Sequence, residues 1–174
     1  MDRISRLRPD WDTYFMMIAE VAATRSSCLR RQVGAVIVKD SQLISSGYNG
    51  APKKVGHCLD VGCMRQALGI PSGQRHEMCR GSHAEINAIA QAASVGIPTL
   101  GATIYCTHSP CTFCTKAIIN AGITRIVYGN PYPDELAEKL RGEARMQEVV
   151  FSGEDKEEML RWFDVIHKRV LDSK

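Results

Sequence analysis

Nowhere in its 174 residues does the chain carry about 18 consecutive apolar residues, so no helical membrane span is expected. The start, 1–9, holds Arg3, Arg6 and Arg8 but lacks the apolar run an export signal needs. Long blocks of like charge are missing as well. With 22 basic against 19 acidic residues the formal charge is only +3, which argues against a nucleic-acid partner and leaves room for a small anionic ligand. Repeats, low-complexity segments and linker-like stretches are also absent. A 44% hydrophobic content at this length suits one globular unit with its own core. The expectation is a single cytoplasmic domain over 1–174.

Cysteine is what the chain does have. Seven of them, Cys28, Cys58, Cys63, Cys79, Cys106, Cys111 and Cys114, make an odd number that fits a closed disulfide set poorly. In a reducing compartment, clustered cysteines are more often metal ligands or catalytic groups than bridges. Cys106, inside a strand-like run at 102–107, reads as a small buried hydrophobe. Cys63 has no assignment from sequence.

Trp11, Phe15, Ile18 and Ala22 recur at helical spacing after Asp10, an N-cap type, which predicts a helix over 11 to about 25 with that face in the core. Two β-rich runs, 33–38 and 43–48, flank a turn-like 39–42 and predict a hairpin. The stretch 53–82 is irregular and rich in Gly, Cys and His, and a loop of that length needs its own support. Beyond it come a helix at 84–95 closed by Gly96, a strand at 102–107, and a helix opened by Pro110 and running to about 121. A strand at 123–128 and a helix capped by Asp134 and reaching about 145 follow. A last strand at 148–151 leads to a helix at 155–171 with Met159, Trp162, Phe163 and Ile166 on one face. This alternation predicts an α/β sheet covered on both faces.

Two patterns carry the chemistry: His83-Ala84-Glu85, and Pro110-Cys111-Thr112-Phe113-Cys114, each at a predicted helix start. Alone, a His-x-Glu or a Cys-x-x-Cys is expected about 0.3 times by chance; both together, with proline before the first cysteine, about 0.003 times. Cysteines three apart in a first helical turn share a face, and the dipole and free N–H groups there favour thiolate. His83 supplies a third ligand, leaving the fourth tetrahedral position that catalytic zinc sites keep open. Glu85 can face that position only if its helix begins at His83, because two residues turn a regular helix by about 200°. From there it could move protons for a zinc-activated water. A thioredoxin-type redox pair would leave His83 and Glu85 unexplained, and a purely structural zinc site would want a fourth sulfur or nitrogen.

The motifs resemble those of the cytidine deaminase superfamily, whose signature is H-x-E followed by P-C-x-x-C, and within it those of deoxycytidylate (dCMP) deaminases. The likeness runs over about 11–128, through Gln-Val-Gly-Ala-Val-Ile at 32–37, Gly-Tyr-Asn-Gly-Ala-Pro at 47–52, His-Ala-Glu-Ile-Asn-Ala-Ile at 83–89 and Ser-Pro-Cys-Thr-Phe-Cys at 109–114, and is weak beyond 131. The resemblance implies a three-layer αβα fold around a mixed sheet of about five strands. It implies zinc on His83, Cys111 and Cys114, Glu85 as proton shuttle, and conversion of dCMP to dUMP, the precursor of dTMP. It further implies that Asn49 meets the deoxyribose and that the Ala84 N–H and Ser109 carbonyl read the base. Arg30, with Arg31 beside it, is the candidate for the phosphate and Tyr128 for the pocket mouth. A second, structural zinc on Cys28, Cys58, His76 and Cys79 is implied for the insertion, with His57 and Cys63 as rival ligands. Regulation by dCTP and dTTP near 47–52 and a homo-oligomer, hexameric in the family, also follow from the likeness. Two other readings remain open: a deaminase of another base, in tRNA or in riboflavin synthesis, and a non-catalytic zinc-stabilised interaction module of the kind encoded in DNA-uptake operons. Dispersed charge counts against a tRNA substrate, and retention of Glu85 against a scaffold.

Overall fold

A computed structural model describes residues 8–172; the basic residues Arg3 and Arg6 of the N-terminal reading lie outside them. The chain runs α1 (Trp11–Ala23), β1 (Gly34–Lys39), β2 (Gln42–Tyr48), α2 (Cys58–Val61), α3 (Met64–Ala67), a 3-10 turn (His76–Met78), α4 (Ala84–Ser94), β3 (Thr103–His108), α5 (Thr112–Asn120), β4 (Arg125–Asn130), α6 (Glu135–Glu143), β5 (Gln147–Val150) and α7 (Glu154–Leu171). The five strands form one sheet in the order β2-β1-β3-β4-β5. β1 pairs antiparallel with β2 and β3, and β3, β4 and β5 run parallel, so the sheet is mixed.

Alternation along the strands divides the core in two. Val36, Val38, Tyr105 and Val127 face α1 and α7, where they meet Phe15, Met16, Met159 and Trp162. Ala35, Ile37, Ile104, Cys106 and Ile126 face the other way, against Ala84 and Ala88 of α4 and Ile118 of α5. The period-2 pattern of the strands thus builds the expected three layers. Cys106 is fully buried there, as a small hydrophobe. Two glycines let helices press onto the hairpin: a Cβ at Gly34 would sit 2.0 Å from the Ala19 carbonyl oxygen, and one at Gly47 would sit 2.3 Å from that of Ala84.

The differences from expectation have local causes. α1 ends at Ala23 instead of about 25, its C-cap Thr24 closing on the Val21 and Ala22 carbonyls. Trp11, expected in the core with Phe15, is 54% exposed and stacks on the Phe15 ring from outside, as the first helical residue. Ile166 is likewise exposed. α7, at 18 residues, is longer than the 13-residue α1 against which it packs, so its last turns overhang. The irregular 53–82 contains three short helical pieces, too brief to leave a periodic signature.

Candidate metal and catalytic centre

Two helix starts meet at the carboxyl ends of the parallel strands, the usual place for a site in an open α/β sheet. α4 begins with His83 as its N-cap in extended conformation (φ −72°, ψ 156°), and α5 begins with Cys111 as its N-cap (φ −71°, ψ 171°). The helix therefore starts where the spacing of His83 and Glu85 requires it to. Cys114 follows in the first turn of α5, with Cys111, Cys114 and Glu85 all buried.

The three expected ligands come together. His83 Nδ1 lies 3.4 Å from Cys111 Sγ and 3.3 Å from Cys114 Sγ. Among the described residues this is the one group of His, Cys and carboxylate side chains whose ligand atoms all lie within 4.8 Å of one another. Tetrahedral zinc, with bonds of about 2.3 Å to sulfur and about 2.0 Å to nitrogen, places such atoms about 3.5 Å apart, so the set fits the ion. Electrostatics agree. The Cys111 thiol is pulled down to about 4 by its hydrogen bond with Cys114 and by His83, whereas that same contact and burial push Cys114 far up. Ligation of a divalent cation requires both sulfurs as thiolates, so the ion would displace the remaining thiol proton. A hydrogen bond with the Cys111 sulfur pushes the His83 pKa up, against the effect of burial.

Around this trio stand groups of two kinds. His76 from the insertion places Nδ1 3.2 Å from His83 Nε2, on the ring edge opposite the sulfurs. It thereby fixes which nitrogen faces the metal position. Glu85 is buried, and its carboxyl touches the Cys114 thiol; burial pushes its pKa up, with the positive His83 pulling the other way. A buried carboxyl set against the ligand trio is placed to take a proton and give it back.

The second helix start is held from α6. Asp134 accepts from the Thr112 N–H (2.7 Å) and hydroxyl (2.6 Å) while capping α6 through the Ala137 N–H. The buried Arg141 donates to the Pro110 carbonyl at 3.3 Å and pairs with Glu148 at 2.8 Å.

A cavity opens beside Glu85, His83 and Cys111, and Asn49, Ala84, Ser109, Arg30, Arg31, Cys28, Cys58, Cys79 and His76 also line it. Asn49 takes hydrogen bonds from the Ser26 hydroxyl (2.6 Å) and the Val33 N–H (2.8 Å) and donates to the Arg31 carbonyl (2.7 Å), which ties the α1–β1 connection to the end of β2. Ala84 is the first residue of α4, so its N–H has no acceptor within the helix. Tyr128 is placed elsewhere. Its ring packs beneath Arg141, 6.0 Å away, and against the α5 side of the core. The tyrosine on the cavity wall is Tyr132, just past β4, which sequence reading missed; it lies between Pro131 and Pro133, outside any periodic run. Arg65, buried on α3, was missed as well. Its one sequence signal is being the sole Lys or Arg in 58–73.

The insertion's cysteines gather without closing. Cys63, Cys28 and Cys79 all bear electrostatically on Cys58, whose thiol is pushed up by burial and then by these neighbours. His76, expected with them, faces His83 instead.

Residues 9–130 match the family described as "Cytidine and deoxycytidylate deaminase zinc-binding region". The chain is 43% identical over 145 residues to ComE operon protein 2 of Bacillus subtilis, covering 80% of this chain and 69% of that protein. It is 40% identical over 126 residues to the deoxycytidylate deaminase of Saccharomyces cerevisiae, covering 72% of this chain but 39% of the yeast protein. Among solved structures, dCMP deaminase from the cyanophage S-TIM5, in complex with dCMP and dUMP, superposes with a TM-score of 0.68 at 27% identity, over 82% of this chain and 98% of that one.

Proposed function

Since the chain belongs to the cytidine and deoxycytidylate deaminase family, we propose that it hydrolyses dCMP to dUMP and ammonia, with zinc on His83, Cys111 and Cys114. The observation that carries this reading is a buried carboxyl, Glu85, set against a His-Cys-Cys trio at the floor of a cavity. Zinc bound there supplies a Lewis acid beside which water ionises near neutral pH. The chain's own groups do the rest. Glu85 takes a proton from the attacking water and gives it to N3 of the ring as the C4–O bond forms. It then carries the second proton to the amine, and the C4–N bond breaks with release of ammonia. The Ala84 N–H and Ser109 carbonyl hold the base, Asn49 meets the sugar and Arg30 serves the phosphate.

The test is loss of cytosine absorbance with dCMP, deoxycytidine, dCTP and AMP side by side. Turnover of dCMP well above the others supports the reading. Preference for AMP, or turnover of none, contradicts it.

The proposal extends to one deaminase unit spanning the chain, working in the cytoplasm in supply of dUMP. Among the described residues no helix is long and apolar enough to cross a membrane. We also propose a second zinc on Cys28, Cys58 and Cys79, with Cys63 in the fourth place that the turn of His76 toward His83 leaves open. The convergence of thiols on Cys58 supports it. About two zinc ions per chain would bear it out, and about one would contradict it. Activation by dCTP, inhibition by dTTP and a hexamer are carried from the family resemblance, to be read by assays with each nucleotide and by light scattering.

A further inference from the structure

The cavity wall is strongly basic. Arg30, Arg31 and Arg65 line it, and among the described residues around it the one acid is Glu85, which the reaction uses. Arg65 comes from α3, inside the insertion, and is only 8% exposed. Its Nη2 donates to the Pro71 carbonyl at 3.1 Å, which fixes the plane of the guanidinium, yet its buried Nε meets no acceptor. Arg30 Nη1 is buried without an acceptor too.

A buried cationic N–H without a partner is costly, and two on one cavity wall are not a packing accident to be expected of a stable fold. They fit a ligand that brings both acceptor oxygens and negative charge. A base and a sugar are neutral and cannot balance three guanidinium groups. A phosphomonoester dianion can, and guanidinium groups bind it through paired N–H donors. The insertion is also latched in place over this wall. Gly73, at φ +82°, approaches Tyr132 so closely that a Cβ would lie 2.5 Å from the tyrosine hydroxyl, and Arg31 sits over the same ring at 5.8 Å.

We infer that Arg65, together with Arg30, seats the 5′-phosphate of the substrate, so that the insertion is the element selecting nucleotide over nucleoside. This rests on the deaminase reading above and names the residue that gives it its substrate class. The zinc trio and Glu85 process the base; Arg65, from a different part of the chain, recognises the anion.

The experiment combines calorimetric binding of dUMP and deoxyuridine with kcat/KM for dCMP and deoxycytidine, on zinc-loaded wild type, Arg65→Gln and Arg65→Lys. Wild type should bind dUMP at least about 100-fold more tightly than deoxyuridine, as two or more charge-assisted contacts require. Arg65→Gln should lose about 10- to 100-fold in dUMP affinity and in kcat/KM for dCMP, with the nucleoside constants changed less than about threefold. Arg65→Lys should recover part of the loss, keeping the charge without the planar fork. Equal losses on nucleotide and nucleoside, or no preference for dUMP in wild type, overturn the inference. Should Arg65→Gln not fold, inorganic phosphate is the probe on wild type. Competition with dUMP but not with deoxyuridine supports the seat, and lack of competition overturns it. Tight, Arg65-dependent dUMP binding with no dCMP turnover would leave the seat standing and sink the deaminase reading instead.

Discussion

The two nitrogens of His83 face different partners, and that division organises the site. Nδ1 points at the sulfurs of Cys111 and Cys114, and Nε2 is met by His76. A metal-bound imidazole whose outer nitrogen is held in this way keeps both tautomer and ring angle. His76→Ala should therefore lower zinc affinity by about 10- to 100-fold, read by competition with a chromogenic chelator, with the fold intact by circular dichroism. Unchanged affinity would remove His76 from the site. His83, Cys111, Cys114 and Glu85 were legible because their chemistry demands those residue types at fixed spacings. His76 and Arg65 were not. A histidine or arginine in an irregular loop gives no sign of which way its side chain turns, and only the folded path of the insertion decides it.

At the scale of elements, the start of α5, which carries Cys111 and Cys114, is anchored from outside by α6. Asp134 is an N-cap of α6 that also holds Thr112 at the first turn of α5, so one carboxylate organises two helices. Asp134→Ala should cost about 1–2 kcal/mol by urea denaturation and also weaken zinc retention, because the lost cap loosens the Cys111 turn. A stability loss with zinc affinity unchanged would separate the two roles. The helices and strands of the sheet were readable from hydrophobic period and caps, with ends shifted by one to a few residues, as at Ala23 and Arg125. Tyr128 shows the limit of that reading. It reads as the last residue of its strand, but β4 continues to Asn130, and alternation with Val127 turns its ring to the α5 face beneath Arg141, a buried cation that charge alone would have put in solvent.

For the molecule as a whole, a three-layer core fixes the site and the insertion lies over it, joined by His76 and the contact of Gly73 with Tyr132. On the far face, Asp12 of α1 takes two hydrogen bonds from Arg125 (2.8 and 2.6 Å) and one from the Tyr105 hydroxyl (2.8 Å), linking helix to sheet. The Arg125 hydrogen bonds hold the Asp12 carboxyl below its ordinary 3.8, with burial opposing them. A depressed carboxyl pKa stabilises the fold above the unfolded-state value, and the gain is lost as pH falls through the folded-state value. Asp12→Asn should thus lower stability at pH 7 by about 1–2 kcal/mol, allowing for the partial exposure of the pair, and by progressively less below about pH 4. A deficit independent of pH in thermal melts would contradict the electrostatic origin. The central claim, that Glu85 moves protons beside a zinc held by His83, Cys111 and Cys114, is tested most directly by Glu85→Gln. The measurement is dCMP turnover at matched zinc content. A loss of at least about a hundredfold with zinc and melting temperature retained is the expected result, and activity close to that of wild type would contradict the account.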